Sequence, residues 1–110
     1  MNDPSIDGLS IPTTHSTSDQ EVRKSRFIGH AYPVSNTADV RGLIDRMRTE
    51  YPDATHVAHA YLIGPRASQT AGLSDDGEPK GTAGKPILDM IQGRSISNVL
   101  VMVVRYFGGT

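Results

Sequence analysis

The residues with most chemical potential lie in one stretch, SDDGEPKGTAGKPI, from Ser74 to Ile87. It sets the carboxylates of Asp75, Asp76 and Glu78 beside Lys80 and Lys85, and beside backbone left bare by Gly77, Gly81 and Gly84. The first turn of a helix exposes unpaired N–H groups and the positive end of its dipole, and glycines let a partner approach them closely. Three occupants are open at such a place: the upstream acids folding back as a cap, an anion or phosphate backbone compensated by the lysines, or a metal ion. A phosphate-binding P-loop fails, because Gly84-Lys85 is followed by Pro86 and Pro79 stands where the first glycine should. A dinucleotide fingerprint fails too, since GTAG is only a fragment of GxGxxG and follows an acidic loop. The acids lack calcium-loop spacing. No cofactor is implied.

Other chemistry is thinner. His56 and His59 stand at an odd offset, so on a strand they face opposite sides and do not form a joint zinc site. His15 and His30 stand apart, and all four histidines read as surface or hydrogen-bonded core residues. No GxSxG elbow supports covalent catalysis. With no cysteine there is neither a thiol nucleophile nor a thiolate metal site. Arg23, Lys24 and Arg26, with Arg105 further on, form either a solvated rim or a phosphate-contacting patch.

These groups must be positioned by a small fold. A chain of 110 residues makes one domain at most, with a thin core. Eleven basic side chains against twelve acidic ones create no global field toward nucleic acid or membrane. The first twenty residues lack a signal-type apolar core, and no run approaches the ~20 apolar residues of a membrane span. The composition therefore reads as a soluble cytoplasmic protein that makes no membrane contact.

Residues 1–19 are rich in Ser, Thr, Asp and Pro and read as a flexible polar tail, in which Ser10 to His15 could add a short edge strand. Residues 20–110 read as the domain. Gln20 to Val34 extends as a strand, with Gly29 marking a bulge or a close approach. Val40, Leu43, Ile44, Met47 and Tyr51 recur with helical period, so the spacing predicts a helix over Ser35–Tyr51, capped by Ser35 or Asn36 and stopped by Pro52. Thr55–Gly64 alternates as a strand, Pro65–Pro79 reads as a loop, and a short helix runs from Thr82 or Lys85 to Gln92. Asn98–Phe107, NVLVMVVRYF, is too continuously apolar for an exposed strand and belongs at the centre of a sheet.

Four blocks in this order, KSRFIGHAYPV, YPDATHVAHAYLIG, SDDGEPKGTAGKPIL and VMVVRYFGG, resemble the amino-terminal domain of the IMPACT/YigZ family, from about Glu21 to Gly109. The resemblance implies an α+β fold: a mixed β-sheet with two helices packed on one face, similar to domain IV of elongation factor G and to the second domain of a small-subunit ribosomal protein. It also implies a nucleic-acid or ribosome-facing surface. Eukaryotic members, it implies, regulate translation initiation by competing for the activator of the kinase that phosphorylates the initiation factor. Family members continue past the Gly-Gly into another helix. The domain is therefore expected to be cut at its C-terminal end, with one face of the strand around Val99 to Val103 under-covered and a homodimer as one way to cover it.

Asp75, Asp76, Gly77, Glu78, Gly81, Thr82, Ala83 and Gly84 match one family block, and Arg105, Tyr106, Phe107, Gly108 and Gly109 match another. With Lys80 and Lys85 they form the expected binding surface, at one end of the sheet, where Asp76 or Glu78 could pair with Arg105. No catalytic residue and no metal ligand is expected. The favoured reading is a non-enzymatic, translation-linked module that binds RNA, the ribosome or a translation-regulatory protein. The alternatives are a cation-dependent hydrolase or phosphoryl enzyme using Asp75, Asp76 and Glu78, and a protein-interaction fragment without a nucleic-acid role.

Overall fold

The computed structural model describes residues 5, 6 and 8–106. Phe107, Gly108 and Gly109 lie outside the described residues. A short pair, β1 (Ser5–Ile6) and β2 (Leu9–Ser10), precedes a sheet of β3 (Ser16–Val22), β4 (Ser25–Pro33), β5 (His56–Ile63), β6 (Thr70–Ser74) and β7 (Val99–Tyr106). Helix α1 (Thr37–Glu50) joins β4 to β5, and α2 (Gly84–Gly93) stands between β6 and β7. The strand order is β3-β4-β7-β5-β6, with every neighbouring pair antiparallel. The last of the described strands is thus the middle one in space, as its apolar run requires.

Local chemistry sets both helices. The Asn36 side chain accepts from the Asp39 N–H at 2.9 Å, the Tyr51 N–H closes the last turn on the Met47 carbonyl at 3.0 Å, and Pro52 follows. Val40 and Met47 then bury one stripe of α1. In α2 the stripe is Ile87 and Ile91, joined by the partly buried Leu88.

The helices lie on opposite faces of the sheet, which corrects the expectation of one shared face. Leu100, Met102 and Val104 join Val40 and Met47 in one cluster, whereas Val99 joins Ala58, Ala60, Leu62, Ile87 and Ile91 in the other. Alternate residues of a strand point to opposite sides, so β7 is buried from above and below. Both crossovers link parallel strands that flank a single strand: α1 bridges β4 to β5 over β7, and α2 bridges β6 to β7 over β5. A half-turn in the sheet plane interconverts the two paths without changing face, so helices on opposite faces mean crossovers of opposite hand. One crossover is therefore of the uncommon left-handed kind. Leu100, Met102 and Val104 are fully buried and Val99 nearly so, while Val101 and Val103 are partly buried. The α1 face of β7 is thus closed, whereas on the α2 face, the side of Val99, Val101 and Val103, only Val99 is buried, and Val101 and Val103 border open cavities.

Strands β3 and β6, like the short β1–β2 pair inside the expected tail, escaped the pattern reading. Ser16–Val22, assigned mostly to a flexible tail, pairs in unbroken register with Ala31 back to Ser25. All seven of its residues are exposed, so it carries no apolar signature. Its hairpin turn is Arg23-Lys24, with φ of 50° and 69°, a primed-type geometry without the Asn or Gly that normally announces it. Upstream, the Ser10 N–H donates to the Ser95 carbonyl and the Ser97 N–H to the Ser10 carbonyl, both at 2.9 Å, which seats the buried Leu9. Strand β6 lies inside the expected loop, is short and largely exposed, and carries Gly72 at its middle. Gly29 keeps its place in both ladders without a bulge; a Cβ there would meet the Ser18 hydroxyl at 2.7 Å, so it marks a close approach. Among the described residues no helix is long and apolar enough to cross a membrane.

If β7 carries the core, Leu100→Ala should lower unfolding free energy by about 2–5 kcal/mol, whereas Val22→Ala on the exposed edge should change it by less than ~0.5 kcal/mol. Urea denaturation followed by circular dichroism measures both, and similar losses would contradict the core assignment. His30 and His59 are held largely neutral. Burial lowers both pKa values, aided by His15 for His30 and by Arg48 for His59, against opposition from Glu50 and Asp76 respectively. Below the ordinary imidazole value of about 6.5 the unfolded chain takes up protons that the folded chain refuses, so stability falls as pH drops through that window. The urea midpoint should decline on acidification from pH 7, and His59→Gln should flatten part of the slope.

Candidate functional site

The loop between β6 and α2 answers the question its sequence poses. Residue Ala83, just before α2, supplies no capping side chain of its own. Asp75 reaches back instead: Oδ1 accepts from the N–H groups of Ala83 at 3.1 Å and Gly84 at 2.8 Å, and Oδ2 accepts from Gly81 at 3.0 Å. The anion at this helix start is therefore the protein's own carboxylate. The N–H groups of Gly81 and Gly84, then Ala83, hold the Asp75 pKa below the usual carboxylate range against a small desolvation effect. Gly81 sits at φ 80°, a conformation that suits glycine. At Gly84 a Cβ would come within 3.0 Å of the Ser74 carbonyl oxygen and of the Leu73 side chain, so the helix start rests directly against β6.

Asp76 turns the other way. Its Oδ2 accepts the Val57 N–H at 2.7 Å, its Oδ1 accepts from Arg48 at 3.0 Å, and its carbonyl accepts from His56 Nδ1 at 2.7 Å. Burial pushes its pKa up, but the Val57 N–H and Arg48 together outweigh that and hold the carboxyl low. Arg48 lies on α1, so Asp76 ties the loop to the helix on the far side of the sheet.

Glu78 completes the loop. Its Oε1 accepts from Arg105 Nη1 and lies 3.4 Å from His56 Nε2. Of the two sequence-level options for Arg105, the structure selects Glu78. Phe27 of β4, Arg105 of β7 and His56 of β5 stand in register, forming one row across three strands on the face that carries α2. The Arg105 guanidinium lies over the Phe27 ring, 5.6 Å from its centroid. A cavity of about 190 Å³ opens beside this row. Its walls are the apolar side chains of Phe27, Ala58, Ala83, Ile87 and Val103, and its polar groups come from His56, Glu78, Thr82 and Arg105. Arg105 Nε is buried there without a hydrogen-bond partner.

The remaining expected residues divide. Thr82 bonds the Pro79 carbonyl through both its N–H and its hydroxyl. Lys80 is exposed, and Lys85 is exposed but paired with Asp89 at 3.0 Å. Tyr106 falls on the α1 face, edge-on to Tyr51 at 6.3 Å, away from the cavity. Of the basic patch, Arg26 is paired with Asp19 at 2.7 Å, while Arg23 and Lys24 occupy the exposed hairpin turn. The cation-dependent alternative needs Asp75, Asp76 and Glu78 to converge, yet each turns to a different internal partner. Among the described residues no group of three His, Cys, Asp or Glu side chains is arranged to hold a metal ion. Sequence reasoning missed His56, Phe27 and Arg48. The one available signal was the odd offset of His56 from His59, which places His56 on the face of Arg105 once the register is known.

The family model described as the Impact N-terminal domain matches residues 23–110. The chain is 41% identical over 100 residues to the IMPACT family member YigZ of Escherichia coli, covering 90% of this chain and 49% of that protein. In structure it resembles a crystallised hypothetical protein at TM-score 0.86 and 40% identity, over 91% of this chain and 49% of the other. It also resembles the two-domain translational regulator Yih1 at TM-score 0.69 and 27% identity, over 99% of this chain and 45% of that one. The chain thus spans about half the length of the first curated relatives it matches.

Removing the cap with Asp75→Ala should lower the melting temperature, and Asp75→Asn should lower it less. Because the Asp75 and Asp76 pKa values are depressed on folding, their contribution is fully present above the unfolded value of about 3.9 and is lost as pH falls through the folded ones. Asp75→Ala should therefore have a shallower acid-unfolding profile below about pH 4, and an unchanged profile would deny Asp75 its role. Arg48→Ala, at a half-exposed pair, should cost under ~1 kcal/mol. Glu78→Ala should cost more, since it leaves the largely buried Arg105 guanidinium without its counter-charge.

Proposed function

The chain belongs to the family defined by the Impact N-terminal domain, and from that membership we propose that it serves as a non-enzymatic regulatory module of translation. The observation that carries this reading is the likeness to a translational regulator over 99% of the chain, rather than over one motif. Supporting it, Arg105 of the second family block pairs with Glu78 of the first. The partner in this proposal is a translation-regulatory protein or the RNA of the ribosome, met on the loop and helix start that carry Lys80, Gly81, Thr82, Gly84 and Lys85.

The charge distribution suggests how that contact would work. Asp75 and Asp76 are occupied internally, so the exposed cations on this surface are Lys80 on the loop and Lys85 on α2, the latter paired with Asp89. A basic rim of this kind meets phosphates or acidic side chains and is weakened by salt.

Because Arg105 holds Glu78, its removal would mix binding with folding; Lys80→Glu is the cleaner probe. Co-sedimentation with ribosomes at low and moderate salt should show salt-sensitive binding that Lys80→Glu reduces several-fold while the melting temperature stays unchanged. Failure of the folded protein to co-sediment would remove the ribosomal reading and leave the protein partner. Binding that Lys80→Glu leaves untouched would remove the proposed surface.

A further inference from the structure

We infer that His15 and His30 form an acid-sensitive latch, which holds the segment 11–15 against the sheet while the two rings carry at most one extra proton and releases it when both are charged. The segment links β2 to β3 and lies outside both ladders. Its upstream end is fixed by the buried Leu9 and by the Ser10 backbone hydrogen bonds to Ser95 and Ser97. At its downstream end His15 is exposed and is held by its ring. That ring stacks on Tyr32, 3.9 Å between centroids, and its Nε2 lies 2.8 Å from His30 Nδ1.

Counting protons shows what the latch tolerates. Two ring nitrogens at hydrogen-bond distance need one N–H and one lone pair between them. His30 Nε2 lies 3.0 Å from the Tyr51 hydroxyl, which either donates or accepts, so a neutral pair closes with the shared proton on either ring. One added proton is accommodated too, because an imidazolium at His15 still donates to a neutral His30. A second is not: N–H then faces N–H, and like charges stand in contact. His30 and Tyr32 are buried, so water reaches the charged pair only if His15 moves away.

The surroundings leave this balance in place. In the two ladders His30 stands opposite Thr17 of β3 and Met102 of β7, and Glu50 and Tyr51 adjoin it from the end of α1. Beyond Tyr51 lie Tyr106 and Arg26, the latter paired with Asp19. Glu50 favours a charged His30, but burial, followed by His15, outweighs it and lowers the His30 pKa. Below the ordinary imidazole value of about 6.5 the latched form therefore binds fewer protons than the released one, and acidification favours release. Because β3 begins its ladder at Ser16, the sheet stays paired when the segment leaves, and the Tyr32 and His30 rings become accessible.

This inference is independent of the translation-linked reading, which the Lys80 experiment tests separately. Its test follows the ring nitrogen-15 shifts of both histidines, together with backbone order parameters, from about pH 8 down to about pH 4.5. The two rings should titrate in two coupled steps. Order parameters over residues 11–15 should fall from about 0.85 to below about 0.6 with the second step, while those of Val101 to Val104 stay high. His15→Gln, whose amide flips to donate to His30 or accept from it, should keep the segment ordered over the whole range. His15→Ala should leave it mobile at every pH. Independent titration of the two rings, loss of order at the first step, loss of order only when the whole domain unfolds, or a pH response that survives in His15→Gln overturns the latch.

Discussion

Everything in this domain hangs on burying one strand from both sides. Val99–Tyr106 is flanked by β4 and β5 and covered by a helix above and another below. Its backbone groups are satisfied laterally, and its side chains enter both apolar clusters. The position also decides where chemistry can occur. The ladder sets Phe27, Arg105 and His56 side by side at one end of the sheet, beyond the fully buried residues and beside the start of α2. A cationic side chain at the end of a core strand needs a counter-charge, and the neighbouring loop supplies Glu78.

Three acids within four positions would repel one another if they shared a direction. The loop separates them by task. Asp75 binds backbone N–H groups at the helix start, Asp76 binds a β5 N–H and an α1 arginine, and Glu78 binds the β7 arginine. The result links α2, β5, α1 and β7 through one short segment. Its polar wall is shared between fold and cavity: Glu78 and Arg105, which pair with each other, also line the cavity.

Elements with a strong apolar period were legible in the sequence: α1 from Val40, Leu43, Ile44 and Met47, β5 from its alternation, and β7 from its unbroken run. Edge strands were not. Ser16–Val22 covers nothing and turns through Arg23-Lys24, so neither hydropathy nor turn chemistry marks it. Which face each helix takes was equally hidden, because periodicity gives the buried stripe of a helix but not the side of the sheet it meets. At the site, the self-capping option for the helix start was readable from the nearby acids, and so was a carboxylate for Arg105. His56 was not, because its role depends on a ladder register that brings residues 27, 56 and 105 into line, and no local spacing encodes that.

The exposed strand at the sheet margin has one more consequence. Sheets with open margins tend to recruit further strands from other copies, which is a route to fibrils. Here Ser16–Val22 lines the outer margin mostly with Ser, Thr, Asp, Gln and Glu, and Asp19 and Glu21 would face like charges in a parallel in-register stack of identical strands. The opposite margin, Thr70–Ser74, is five residues long and contains a glycine, too brief to template a long ladder. The same polarity that makes the first margin look like a disordered tail thus guards the sheet against self-assembly at high concentration.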